Sequence, residues 1–265
     1  MQTPVNKLKT ALLAGQVQYG IWLSSGSPVL AEMAGHAGFD WCLIDAEHGP
    51  NAVTGLTPQL QALAGSGTPA VVRVPAAEVW MIKQVLDQGC QNVLVPMVDD
   101  AATAALMARA MRYPPNGIRG MGASSARASG YGAMPDYIRQ ADAQMCLLVQ
   151  AESRAALDNV DAIASTDGVD GVFVGPADLS ADMGYPGQPD HPDVVRAIDH
   201  IIARTLAAGK IAGIITFDET RVPDCLATGA TFVGVSSDVT LLNRSLRGLA
   251  SRLKPPSSSE PVKSR

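Results

Sequence analysis

Lysine is scarce in this chain: six in 265 residues, at Lys7, Lys9, Lys83, Lys210, Lys254 and Lys263. None falls at the C-terminal end of an apolar, strand-like run, and Lys210 comes just before one. Schiff-base chemistry needs an amine in the pocket, so no Schiff-base lysine is expected. Cysteine is equally sparse, with four, at 42, 90, 146 and 225, in no zinc or redox spacing. Cys42 and Cys146 lie in strand-like runs, where a small thiol packs well. All four read as reduced core or surface thiols. No stretch approaches ~18 uninterrupted apolar residues, so no membrane span is expected. The N-terminus lacks the basic-then-apolar order of a signal peptide, which points to a cytoplasmic protein. Neither Gly-x-Gly-x-x-Gly nor a P-loop occurs, so nucleotide binding has no support. The net charge of −5 argues against a nucleic-acid partner. It leaves room for a local positive pocket that takes a small anion.

What the chain does have is rhythm. It is 47% hydrophobic, and short apolar runs alternate with longer amphipathic ones, the mark of repeated βα units. Strands are predicted near 19–23, 41–45, 70–74, 92–96, 146–151, 171–174, 211–215 and 232–236. Eight is the closing number of a (β/α)8 TIM barrel, a fold of about 250 residues. A single domain over 1–253 and a disordered tail over 254–265, Pro- and Ser-rich, are expected. Helices are predicted from Pro28 to Gly38, from Val79 to Gln88, over 100–111, from Asp193 to Ala208, up to Ala227 and from Asp238 to Leu253. The interval 97–145 is too long for one helix, so its irregular part after 111 reads as functional or interfacial. The stretch 179–192 reads as a second extended loop.

Polar residues stand at or just past four of the predicted strands: His48, Arg73, Glu152 and Asp178. Parallel barrel strands would bring all four to one mouth. Two carboxylates suit a hard divalent cation that takes one or two protein acids and fills its other positions with water and substrate; two solvated loop acids are the plain alternative. Gly175-Pro176-Ala177-Asp178 leaves a strand and opens a short helix, whose free amides suit an anion, although Gly-Pro-x-Asp is also a routine turn. Arg73 interrupts an apolar run. It is either half of an ion pair or a fixed charge aimed at a developing oxyanion. The segment from Asp45 to Pro50 concentrates three titratable groups, and His48 there is a natural general base unless the loop is merely solvated. Asp87, four residues after Lys83, reads by itself as an ordinary helical pair. His36, His191 and His200 read as surface or packing residues.

Longer motifs carry a resemblance. They are Phe39-Asp-Trp-Cys-Leu-Ile-Asp-Ala-Glu-His-Gly-Pro-Asn51, Val72-Arg-Val-Pro75, Ile82-Lys-Gln-Val-Leu-Asp87, Arg112-Tyr-Pro-Pro115, Leu148-Val-Gln-Ala-Glu-Ser153 and Gly168-Val-Asp-Gly-Val-Phe-Val-Gly-Pro-Ala-Asp-Leu-Ser180. From about Gly20 to about Leu253 the chain resembles the class II, metal-dependent pyruvate aldolases. The nearest branch is 4-hydroxy-2-oxoheptanedioate aldolase, with 2-dehydro-3-deoxyglucarate and 2-keto-3-deoxyrhamnonate aldolases as relatives.

The resemblance implies a phosphoenolpyruvate/pyruvate-type barrel that splits 4-hydroxy-2-keto acids into pyruvate and an aldehyde through a pyruvate enolate. The implied cofactor is a divalent ion (Mg²⁺, Mn²⁺ or Co²⁺) on Glu152 and Asp178. Arg73 corresponds to the residue that stabilises the enolate, His48 to the base, and Asp87 to the acid that raises its basicity. Gln150 and Ala177 correspond to pyruvate contacts, flanked by Gly175, Pro176 and Asp178, and Asp45 to an acid just outside the ion's ligands. Residues of the first and seventh strands, Trp22 among them, would line the aldehyde side. The motif reads Asp45-Ala-Glu-His where Asp-Gly-Glu-His is commoner. The partner is a small molecule, and the resemblance implies a homo-hexamer with exchanged C-terminal helices. A packing stripe from Val239 to Leu253 would serve that exchange or the chain's own barrel equally. An acyl-CoA lyase would need a basic groove, against which the few lysines speak; a non-catalytic barrel is the other alternative.

Overall fold

The computed structural model describes residues 1–254. The expected tail lies, from 255 onward, outside the described residues. Eight strands form one closed parallel barrel in chain order: β1 (Gln18–Leu23), β2 (Trp41–Asp45), β3 (Ala70–Arg73), β4 (Asn92–Val95), β5 (Cys146–Ala151), β6 (Gly171–Val174), β7 (Ile211–Thr216) and β8 (Phe232–Ser237). β3 and β4 each stop one residue earlier than predicted. Pro75 follows Val74, and Pro96 has no N–H to continue the ladder.

Side chains alternate between two cores, as the period of two requires. Trp22, Trp41, Leu43, Val71, Leu94, Leu148, Phe173 and Phe232 fill the barrel's interior. Their alternates pack against the surrounding helices. The interior is aromatic, with Trp41 stacked on Phe232 at 4.0 Å and Trp22 set 5.6 Å from both Trp41 and Phe173. Glycine makes the room. A Cβ on Gly20 would meet the Trp41 ring at 2.0 Å, and one on Gly234 would meet Trp22 at 2.4 Å. A helix that the sequence reading did not anticipate, Lys7–Leu13, closes the N-terminal end. Its Leu8 and Leu12, one turn apart, enter the interior cluster, and Asn6 Nδ2 donates to Asn92 Oδ1 at 2.8 Å. Lys9 and Lys210 are both spent at that end, on Asp170 and on the Val169 carbonyl.

Two loop expectations change. The stretch 179–192 is not wholly extended: Pro176–Asp182 is helical and the next helix begins at Pro192. Proline at the first helical position presets the turn there. The irregular segment after Met111 holds a helix, Tyr137–Gln144, and a small core of its own around Tyr113 and Tyr137. Arg119 is fully buried in that core, 4.4 Å from the Tyr113 ring centroid and 5.8 Å from that of Tyr137. The C-terminal helix Asp238–Leu253 answers the question of its stripe within the chain: Val239, Leu241, Leu242, Leu246, Leu249 and Leu253 are all exposed, so the barrel does not cover them. Among the described residues no helix is long and apolar enough to cross a membrane. All four cysteines are buried and free.

Candidate active site

The C-terminal ends of β2, β3 and β5 and the start of the helix after β6 build one mouth. Asp45, the last residue of β2, is buried. Its carboxylate accepts Nε and Nη2 of Arg73 at 2.9 and 2.7 Å, a bidentate pair of the strong, oriented kind. The same carboxylate accepts the Glu47 and His48 amides at 3.1 and 3.3 Å, which folds the next segment over the strand end. Asn51 anchors that segment by donating to the Asp45 carbonyl at 2.7 Å. Arg73 is thus part of an ion pair, and the pair stands at the mouth. Burial works against the guanidinium charge, but Asp45 and Glu47 more than offset it and raise its pKa.

Glu47 was not singled out from the sequence. Its Oε2 lies 2.9 Å from Arg73 Nη1 and 3.9 Å from His48 Nε2. That oxygen is buried and makes no hydrogen bond, so the contact is one of charge alone. Burial raises the Glu47 carboxyl, with Arg73 and His48 pulling the other way. His48 itself is open to solvent, its side chain 66% exposed. The only signal for Glu47 in the sequence was its place between Asp45 and His48.

Glu152 follows β5 and is buried. Its Oε1 accepts the Met97 amide at 2.8 Å and its Oε2 accepts Gln150 Nε2 at 2.5 Å. Met97 holds a left-handed backbone, φ 51°, to present that amide. Burial, reinforced by Glu47 and Asp178 and opposed by the Met97 N–H, pushes the Glu152 carboxyl up to about 7. Gly175 leaves the space in which this carboxylate lies, since a Cβ there would stand 2.2 Å from Glu152 Oε2. Pro176, Ala177 and Asp178 follow directly in the first turn of the seven-residue helix Pro176–Asp182, with Ala177 and Asp178 exposed.

These residues fit a divalent cation. The donors are hard carboxylate oxygens, one of them held over a cradle that only glycine leaves open. Gln150 Oε1 is a further buried oxygen without a partner. Among the described residues no three His, Cys, Asp or Glu side chains are grouped to hold an ion. A two-acid site completed by water and substrate needs no third.

Two expected positions differ. Trp22 is buried in the barrel rather than lining the rim; its ring centroid lies 6.0 Å from the Arg73 guanidinium carbon, as a floor. Its place on the strand, inward and below the exit, accounts for that. Asp87 ends the helix Val79–Asp87, which runs back from the mouth, and pairs with Arg119 Nη2 at 2.9 Å. Among the described residues it makes no polar contact with His48 or Lys83.

The model of the HpcH/HpaI aldolase/citrate lyase family matches residues 18–245. The chain belongs to that family. It is 52% identical over 264 residues to a hydroxypyruvate/pyruvate aldolase of Agrobacterium fabrum, covering 100% of this chain and 99% of the relative. It is 49% identical over 241 residues to a 2-keto-3-deoxy-L-rhamnonate aldolase of Klebsiella pneumoniae, covering 91% and 90%. The crystal structure of an HpcH/HpaI aldolase/citrate lyase family protein from Burkholderia cenocepacia superposes with a TM-score of 0.90 at 39% identity, over 94% of this chain and 99% of that one. Near-equal identity to proteins named for different substrates means that likeness alone does not choose among substrates. The family makes this barrel a carbon–carbon lyase.

Proposed function

We propose that the protein reversibly cleaves 4-hydroxy-2-keto acids to an aldehyde and pyruvate or hydroxypyruvate. One observation carries this reading: a buried acid over a glycine cradle and a paired, buried arginine share one barrel mouth. The names of the relatives support the choice of nucleophile. Glu152 and Asp178 would hold a divalent cation (Mg²⁺, Mn²⁺ or Co²⁺), which supplies a Lewis acid for the 2-keto oxygen.

The chain's own groups do the rest. Asp45 fixes Nε and Nη2 of Arg73 and Glu47 lies beside Nη1, so the guanidinium is held in place as a fixed positive charge for negative charge developing on the keto-acid fragment. Gln150 and the Gly175–Asp178 turn border that fragment. His48 takes the 4-hydroxyl proton as the C3–C4 bond breaks; the bonding pair stays with the three-carbon fragment and the aldehyde leaves. A proton returned to C3 completes the keto acid. Removing a fixed donor of this kind costs about 10²–10³ in rate, so Arg73→Ala should lose that much kcat while keeping its fold. The assay is keto-acid release from a panel of 4-hydroxy-2-keto acids. Release from none of them by the metal-loaded wild type, or normal turnover by Arg73→Ala, would refute the reading. The uncovered stripe of the C-terminal helix supports a homo-oligomer in which another copy covers it; a monomer by light scattering would contradict that.

A further inference from the structure

Three consecutive polar residues span the junction of β8 and the C-terminal helix, and two of them have visible work. Ser237 Oγ accepts the Thr240 amide at 3.2 Å and donates to Thr240 Oγ1 at 2.8 Å, capping the C-terminal helix. Asp238 accepts the amides of Ser24 and Ser25 at 2.8 and 3.2 Å and the Ser25 hydroxyl at 2.5 Å, tying down the exit of β1. Ser236 has no such role. Its Oγ is buried and makes no hydrogen bond. Its backbone stands at φ 68°, in the left-handed region that a residue with a Cβ enters at a cost.

The position explains what those two costs could serve. The β1–β8 register runs Gly20 to Gly234 and then Trp22 to Ser237, so β8 carries one extra residue between them, and the left-handed backbone marks Ser236 as the irregular one. Bulges re-aim side chains beside functional sites. Ser236 stands near the C-terminal end of β8, the end of the barrel that carries Arg73 and Glu152, two residues past Gly234, whose open side the Trp22 ring fills. Arg73 stands on β3 and the two acids follow β5 and β6. The keto-acid end belongs to that side, which leaves β7, β8 and β1 to border the aldehyde carbons.

We propose that Ser236 is a specificity-determining residue for the aldehyde half, its hydroxyl bonding to an oxygen on the carbon next to the aldehyde carbonyl. This rests on the function proposed above and adds a substrate class: hydroxyaldehydes in preference to their deoxy counterparts. A serine hydroxyl both donates and accepts, so it suits another hydroxyl. A carboxylate in the same place finds less to bind. Two cations near these exits are engaged: Arg154 donates its guanidinium to the Asp182 and Met183 carbonyls, and Arg221 pairs with Asp190.

Ser236→Gly and Ser236→Ala separate hydroxyl from backbone. Both remove the hydroxyl; glycine relieves the left-handed strain and alanine keeps it. The readout is the ratio of kcat/KM for glycolaldehyde to that for acetaldehyde, with pyruvate as nucleophile. Both variants should lose about tenfold in that ratio, while their melting temperatures move apart, glycine above alanine. Solvent deuterium exchange into the pyruvate methyl, without aldehyde, should stay at the wild-type rate. An unchanged ratio in the glycine variant overturns the proposal, as does a shift confined to alanine, which would track strain. Failure of the wild type to exchange at all would instead sink the aldolase reading on which the proposal rests.

Discussion

A single methyl group added at Gly175 probes the acid cradle without replacing any charged residue. The backbone there, φ −97°, is ordinary for alanine, so Gly175→Ala acts through contact alone. The new Cβ would lie 2.2 Å from Glu152 Oε2 and 3.1 Å from Glu152 Cβ. Non-bonded contacts to carbon settle well beyond 3 Å, so the carboxylate must move by roughly 1 Å. That movement breaks the 2.5 Å bond from Gln150 and strains the 2.8 Å bond from Met97. Misplacing a reacting group by about 1 Å costs on the order of 10² in rate, whereas overpacking a core costs roughly 1–3 kcal/mol. The variant should therefore fold, melt a few degrees lower, bind Mn²⁺ at least about tenfold more weakly and cleave on the order of 10² more slowly. Titration calorimetry with Mn²⁺, circular-dichroism melting and the keto-acid release assay measure the three quantities. Wild-type Mn²⁺ affinity in a folded Gly175→Ala protein would refute the placement of the ion against Glu152.

Other consequences follow from the same contacts. Burial pushes the Glu152 carboxyl up to about 7, and a cation binds only the ionised form. Mn²⁺ affinity should thus be level above that pH and fall about tenfold per unit below it; a flat profile from pH 5.5 to 8 would contradict this. The sign for stability is the reverse. A raised acid pKa favours the folded, protonated form at low pH, and that contribution fades as pH rises through 7. Arg119→Ala would leave Asp87 without its partner and open the core around Tyr113 and Tyr137. It should cost roughly 3 kcal/mol and expose 112–144 to proteolysis; an unchanged melting point with unchanged cleavage would count against it. Burial pushes the Cys42 and Cys90 thiols up to about 12. A thiol reagent should therefore spare both in native protein and titrate all four cysteines after unfolding, and rapid native labelling of Cys42 or Cys90 would be the contrary result.

Much of the scaffold was legible because a closed barrel repeats one local pattern. Each strand is a short apolar run, and β3, β4 and β6 run out at Pro75, Pro96 and Gly175, so strand ends fall within a residue or two of the prediction. Strand ends also pointed to His48, Arg73, Glu152 and Asp178, because the exit face is a property of the chain itself; Asp45 and Gln150 gained their roles only through the resemblance of the longer motifs. What escaped depends on contacts between distant segments. Asp87 read by itself as a helical pair with Lys83 and by resemblance as the acid behind His48; within the chain a buried Arg119 from a later loop pairs with it. Glu47 is an unremarkable loop acid until folding sets Arg73 beside it. The left-handed turn at Ser236 follows from a one-residue register shift that no hydrophobic pattern marks.

The central claim is that Glu152 and Asp178 hold one divalent ion on which enolisation depends, with no lysine adduct. Proton NMR of pyruvate in D₂O measures it most directly. Methyl exchange should vanish when the protein is stripped of metal, return with Mg²⁺, Mn²⁺ or Co²⁺, and stay absent in a folded Glu152→Gln variant. Exchange that persists in the metal-free protein would contradict the claim.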